Sequence, residues 1–141
     1  MWKFEQESGA IIRPDGRLLA TGYSGRVPDG KNQPDKQCVR NVGPIPRGWY
    51  IIEEPRSKPT KPFFMPLTPS QGTNTCGRSA FQIHGDNTSH TASTGCIVVS
   101  PRSFREEIWN SGDHILRVVR NSSDVTSAKL ARAPMTKAPL A

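Results

Sequence analysis

The sequence predicts a mainly β domain, a twisted β-sandwich carrying one short helix. Short apolar or alternating runs recur along the chain, each bounded by turn residues, which is the pattern of half-buried strands. The pattern turns helical once, after Val99, where a polar residue and a proline precede apolar residues sharing one face. A length of 141 residues suffices for one domain with one core. The expected boundaries are a folded unit over 1–120 and a tail over 121–141.

Trp2 to Gln6 alternates and opens as a strand. Ala10–Ile12 and Arg17–Ala20 flank Pro14-Asp15-Gly16, where proline presets φ, aspartate bonds its own backbone and glycine takes positive φ, so a β-meander is expected. Thr21 to Gly25 leads into a long polar loop reaching about Arg40, and loops of more than about 12 residues are usually functional or disordered. Tyr23, between two glycines, is equally suited to facing a ligand or plugging the core. Trp49 to Ile52 is an aromatic and β-branched strand behind prolines that block helix. Residues 55–62 read as a Pro/Lys-rich loop. Phe63 to Leu67 reads as a strand that Pro66 confines to an edge. Pro69 to Arg78 is a polar loop holding Cys76. Phe81 to Ile83 and Cys96 to Val99 read as buried strands. Ser100 as N-cap and Pro101 at the first position start the helix, Phe104, Ile108 and Trp109 share its inner face, and Gly112 ends it. His114 to Arg120 alternates as a last strand, with His114 structural at its start. From Asn121 the chain is polar and has little to bury.

No apolar run approaches the roughly 18 residues of a membrane helix. The start, MWKFEQESG, lacks a secretory signal pattern, so a chain beginning there stays in the cytosol or leaves by a route needing no signal peptide. The net charge of +7 raises nucleic acid as a partner. The basic residues are dispersed, however, with no aromatic interleaving and no zinc or helix-turn-helix module. An anionic cell-wall polymer, or solubility alone, suits that charge equally well.

The chemistry concentrates in Phe81 to Ser100. His84-Gly85 ends one apolar run, and Gly95-Cys96 opens the next, with a polar loop between. Neighbouring strands would hold a thiol and an imidazole in register, as a cysteine nucleophile requires. A free thiol is only a few per cent ionised at neutral pH, and a nearby imidazole that takes its proton activates it. Asp86, Asn87 or the Gly85 carbonyl could orient the imidazole, and backbone amides beside Gly95 could stabilise an oxyanion. His90, within the loop, is the weaker base. Two other readings compete. A cysteine opening an apolar strand is commonly an inert core residue, which would leave a non-catalytic cell-wall- or nucleic-acid-binding module. His84, His90 and Cys96, with Cys76 as a fourth donor, would instead make a zinc site, although paired ligand spacings are missing. Of three cysteines, one is left over. If Cys96 is the nucleophile, Cys38 and Cys76 remain for a disulfide, which suits an oxidising compartment.

The His-Gly pair, the polar loop and Ser93-Thr94-Gly95-Cys96 resemble the active-site signature of the L,D-transpeptidases, the YkuD-like cysteine enzymes of peptidoglycan. Thr94 stands where that family usually has His or Arg, and Val98 where Arg or Asn usually follows. The resemblance narrows when Gly22–Gly25 (GYSG), Gly43–Tyr50 (GPIPRGWY), Phe81–Asn87 (FQIHGDN) and Ser93–Pro101 (STGCIVVSP) are taken in order. Together they look like the type VI secretion L,D-transpeptidase effectors, to about Arg120. The resemblance implies Cys96 as nucleophile, His84 as base, the Gly85 carbonyl orienting the imidazole, and the Gly95 and Cys96 amides as oxyanion hole. Substrate contacts are expected at Tyr23, Asn87, Ser93 and Thr94. Arg102 or Arg105, from the helix, would replace the missing family arginine. It further implies no metal or cofactor, tetrapeptide stems of peptidoglycan as substrate, and L,D-carboxypeptidase or D-amino acid exchange as activity. The secretion machinery and an immunity protein are the implied partners. The protein would be made in the cytoplasm and would act in the periplasm of a target cell.

Overall fold

The computed structural model describes residues 1–123. Ten strands and one helix make up the β-rich domain expected. Strands β1 (Trp2–Glu5), β2 (Ala10–Ile12) and β3 (Leu18–Thr21) form the expected antiparallel meander. Its second turn works as its residues suggest: Gly16 takes φ +92°, Asp15 Oδ1 accepts from the Arg17 amide at 2.9 Å, and the Arg13 amide donates to Arg17 O at 2.8 Å.

The remaining strands are β4 (Tyr23–Ser24), β5 (Gly48–Ile52), β6 (Arg56–Lys58), β7 (Lys61–Pro69), β8 (Gln82–His84), β9 (Ile97–Val98) and β10 (Ile115–Val119). Their order across the sheet is β3-β2-β1-β10-β5-β7-β8-β9-β4, with β6 beside β7. The last strand, β10, lies parallel to β1 in the middle of this path, with Trp2 opposite Leu116 and Glu5 opposite Val119. The two ends of the path, β3 and β4, are consecutive in the chain and separated by Gly22 alone. The sheet must therefore fold over on itself. A Cβ at Gly22 would meet Val98 O at 1.9 Å, so only glycine permits this closure. One core follows: Trp2, Phe4 and Ile11 from one end pack in the same cluster as Ile83 and Ile97 from the other, with Tyr50, Met65 and Ile108 between.

Two expectations need correction. Residues 55–62 contribute β6 and the start of β7, and β7 is an interior strand with partners β5 and β8 on its two sides. Pro66 is tolerated there because its missing N–H falls where the β5 ladder ends. Its carbonyl on that side accepts from the Glu53 amide at 2.8 Å, one residue past β5. The helix α1 (Arg102–Asn110) begins one residue later than expected. Pro101, extended at φ −68° and ψ 129°, holds the cap position without a side-chain bond, so Ser100 lies outside it. The inner face is as read, with Ile108 buried and Phe104 and Trp109 packed against the core. His114 stacks on Trp109 with ring centroids 3.8 Å apart, the structural role expected of it. The anticipated tail lies outside the described residues from residue 124 onward.

The long polar loop carries a single 3-10 turn, Pro34–Lys36, among otherwise irregular backbone. Cys38 is joined to Cys76 by a disulfide. The loop is further tied to β1 through the buried Gln6, which donates to Ile45 O at 2.9 Å and to Gln37 Oε1 at 3.1 Å.

Candidate active site

Strands β8 and β9 are parallel neighbours, with Ile83 opposite Ile97 and His84 opposite Val98. Ile83 and Ile97 enter the core. Side chains alternate along a strand, so His84 falls on the other face, and the next position before Ile97 on that face is Cys96. The two are diagonal neighbours, a relation that puts Cα atoms about 7–8 Å apart. Long-range folding thus places the thiol and the imidazole on one side of one strand pair. Among the described residues the thiol's hydrogen bond is to Ala80 O, 3.8 Å away, and not to the imidazole.

His84 is buried, and its Nδ1 lies 2.7 Å from Gly85 O. A carbonyl only accepts, so in the neutral ring Nδ1 carries the proton and Nε2 presents its lone pair. Burial pushes the His84 pKa down; the Gly85 bond opposes this, while Lys61 and Arg105 add to it. Burial pushes the Cys96 thiol up, against the facing Gln82 backbone amide and the charges of Lys61 and Arg78. Both shifts favour the neutral forms of the two groups.

The turn before Cys96 is held from several directions. Ser93 Oγ accepts from Gly25 N at 2.9 Å and Gly95 N at 3.1 Å, and donates to Cys96 O at 2.6 Å. Ser24 Oγ, fully buried, donates to Gly95 O at 3.1 Å. Ser93 is therefore a fastening of this turn and is itself buried. The Gly95 amide, expected to be open to an oxyanion, is committed to Ser93 Oγ. Gly95 sits at φ +150°, and a Cβ there would stand 2.5 Å from Arg78 Nη2.

Arg78 is a residue that sequence reading missed. Its buried guanidinium donates to Pro44 O at 2.8 Å, Gly43 O at 2.9 Å and Thr94 O at 3.0 Å, and also to Gln37 O. It thereby joins the long loop to the cysteine turn, and its carrier segment is the one the disulfide anchors. Nothing in the spacing around Cys76-Gly77-Arg78 announces this, because every acceptor is a backbone carbonyl contributed by distant segments.

Two cavities open beside the pair. One, of about 350 Å³, is lined by Arg40, Asn41, Arg78, Phe81, Thr94 and Cys96. The other, of about 340 Å³, is lined by Lys61, His84, Gly85, Asp86, Asn87 and Arg105, among others. Thr94 and Asn87 thus stand at cavity walls. Asn87 also closes its own loop, donating to Thr91 Oγ1 at 3.2 Å and accepting from Thr91 N at 2.9 Å. Tyr23 is buried away from both cavities. Its hydroxyl donates to Asp86 Oδ1 at 2.6 Å and accepts from Ala92 N at 2.9 Å, which pins both ends of the loop between the two catalytic candidates. Burial, and then Asp86, push its pKa up to about 12. Arg102 lies outside both cavities, over the Phe63 ring at 5.3 Å and 3.8 Å from Glu106, whereas Arg105 lines the His84 cavity. His90 is exposed and bonded to Asp86 Oδ2 at 2.8 Å. Cys76 is taken by the disulfide, and among the described residues no three His, Cys, Asp or Glu side chains come together as metal donors, so the zinc reading has no ligand set.

A family model described as the Tlde1 domain matches residues 19–122, from within β3 to the end of the described residues but for one. No curated protein and no solved structure matches the chain. No helix among the described residues is long and apolar enough to cross a membrane. The matched span contains the cysteine turn, the His-Gly pair and the Arg78 clamp, and the protein belongs to the Tlde1-domain family, a family of antibacterial effectors delivered by type VI secretion.

Proposed function

We propose that the protein is a cysteine acyltransferase of peptidoglycan, an L,D-carboxypeptidase and L,D-transpeptidase acting on tetrapeptide stems. The observation that carries the reading is the pairing of Cys96 and His84 on one face of the parallel β8–β9 pair, with Nδ1 held by Gly85 O and one cavity lined by each of the two. The family membership and the order of motifs support it.

In this scheme His84 acts as general base at the moment of attack, in keeping with burial that favours the neutral thiol and the neutral imidazole. Nε2 takes the thiol proton as Sγ bonds to the carbonyl carbon of the L-centre of the third stem residue. The Cys96 amide serves the oxyanion, since the Gly95 amide is committed to Ser93. The imidazolium then protonates the departing D-alanine nitrogen as the C–N bond breaks, leaving a thioester. Water as acceptor gives carboxypeptidase activity, a free D-amino acid gives exchange, and a second stem gives a crosslink. The site of action is the periplasm of the target cell, where the Cys38–Cys76 bond would persist. Peptidoglycan is the partner there, and an immunity protein guards the producer.

Mass spectrometry of muropeptides incubated with wild type and with Cys96→Ala tests the reading. Loss or exchange of the terminal D-alanine with wild type alone is expected. Unchanged muropeptides with folded wild type would sink it, and a wall-binding role with an inert cysteine would then lead.

A further inference from the structure

The His84 cavity contains two cations and one carboxylate whose commitments differ sharply. Arg105 is buried, and each of its guanidinium nitrogens donates to backbone carbonyls: Nε to Phe63, Nη1 to Val99 and Ser100, Nη2 to Pro62, all between 2.7 and 3.1 Å. It holds the wall together. Asp86 accepts from Tyr23, Asn87 and His90 and is equally engaged. Lys61, half-buried at the start of β7, makes one side-chain hydrogen bond among the described residues, 3.0 Å to Gln82 Oε1, and lies 5.3 Å from the centre of the Phe64 ring. An ammonium carries three donors. Gln82 stands one position before the Ile83–Ile97 pair, opposite Cys96, so its side chain holds the ammonium beside the thiol, in the cavity that His84 shares.

The acyl-transfer reading, on which this inference rests, dictates what enters that cavity. The imidazolium must give its proton to the leaving nitrogen, so the leaving group lies on the His84 side. That nitrogen belongs to a terminal D-amino acid whose carboxylate is two bonds away. A carboxylate drawn into a half-buried cavity needs a cation with donors to spare. The geometry points to Lys61 as the residue that binds the α-carboxylate of the terminal D-amino acid, first as leaving group and then as incoming acceptor.

The same contact serves both halves of the reaction. In the first, the Sγ–C bond forms, the C–N bond breaks, the Nε2 proton goes to the amine, and the free D-amino acid departs from Lys61. In exchange the steps reverse: the incoming amine bonds to the thioester carbon, its proton goes to Nε2, and the S–C bond breaks. A position matched to one small carboxylate-bearing amine favours D-amino acid exchange among the possible aminolyses. The second cavity, with Cys96, Thr94 and Arg78, is left for the acyl part of the stem.

Lys61 also lowers the thiol pKa, so slower turnover in a variant would not by itself reveal carboxylate binding. The discriminating readout is a ratio. Two synthetic tetrapeptide stems, identical except that one ends in D-alanine and the other in D-alaninamide, are compared by kcat/KM. Wild type should favour the carboxylate by about tenfold or more, the scale of a charge-assisted hydrogen bond, Lys61→Gln should bring the ratio near unity, and Lys61→Arg should retain most of it. A thiol-activating role alone would slow both substrates equally and leave the ratio intact, which would overturn the inference. As a measurement on wild type, free D-alanine should outcompete D-alaninamide as exchange acceptor; equal use of the two would also overturn it. Active wild type with no preference defeats this inference alone, whereas folded wild type inert on both stems defeats the acyl-transfer reading and this inference with it.

Discussion

The guanidinium of Arg78 donates to Thr94 O at 3.0 Å, two residues before the candidate nucleophile, and through Gly43 and Pro44 it holds the long loop to the same turn. Arg78→Lys keeps the charge but cannot reach carbonyls on three sides. Each buried carbonyl left unmet costs about 1–3 kcal/mol. The expected outcome is a clearly lowered melting temperature and a turnover loss exceeding tenfold at temperatures where the variant is still folded, as read by thermal denaturation and muropeptide assay.

His84→Ala should abolish turnover by about two to four powers of ten while leaving circular dichroism unchanged, because the imidazole supplies proton transfer and not core packing. His90→Ala should retain turnover, since His90 is exposed and its partner is Asp86. Activity surviving in the first variant and lost in the second would move the base to the loop.

The pH dependence follows from the direction of two shifts. Depression of the His84 pKa keeps the base neutral to a pH below the ordinary imidazole range, so turnover should persist through mildly acidic conditions and fail only as pH drops below that range. Elevation of the Cys96 pKa means that iodoacetamide alkylation should be slow at neutral pH and accelerate through pH values above those of an ordinary thiol. Fast alkylation at neutral pH would show a preformed thiolate and contradict the raised thiol pKa.

Reduction of the Cys38–Cys76 bond, or Cys38→Ser, should lower stability by roughly 2–4 kcal/mol, the usual effect of closing a loop of this size. It should also reduce turnover, because Gln37 and Arg78 stand one and two residues from the joined cysteines. Denaturant melts with and without reductant measure the first effect, and single-turnover rates measure the second. Unchanged turnover in the reduced protein would show that the hydrogen bonds of Arg78 and Gln6 hold the loop without the disulfide.

Tyr23→Phe removes one bond to Asp86 and one to Ala92. A stability loss of about 1–2 kcal/mol is expected. Faster hydrogen exchange across residues 86–92 should accompany it, with the β1–β10 pair unaffected. Protection unchanged in that loop would assign its order to Asn87 and Thr91 instead.

Much of the architecture is legible in the sequence because it depends on local chemistry. The meander around Pro14-Asp15-Gly16, the Trp49–Ile52 strand and the inner face of α1 follow from turn residues and periodicity within a few positions. The His84-Gly85 and Gly95-Cys96 pairs are visible for the same reason: each is a short motif ending or opening an apolar run. Tertiary structure alone decided the rest. Pro66 is interior because β5 ends where its N–H is missing, which depends on pairing strands remote in sequence. Lys61 and Arg78 reach the site from segments that read as loops, and their partners are a distant glutamine and distant backbone carbonyls. Ser93 and Tyr23 prove to be fastenings because their acceptors and donors arrive from Gly25, just past β4, and from the segment between β8 and β9. Composition and periodicity report which residues enter strands; which strands meet, and so which charges stand beside the thiol, is set by the single closure at Gly22 and by the core that it buries.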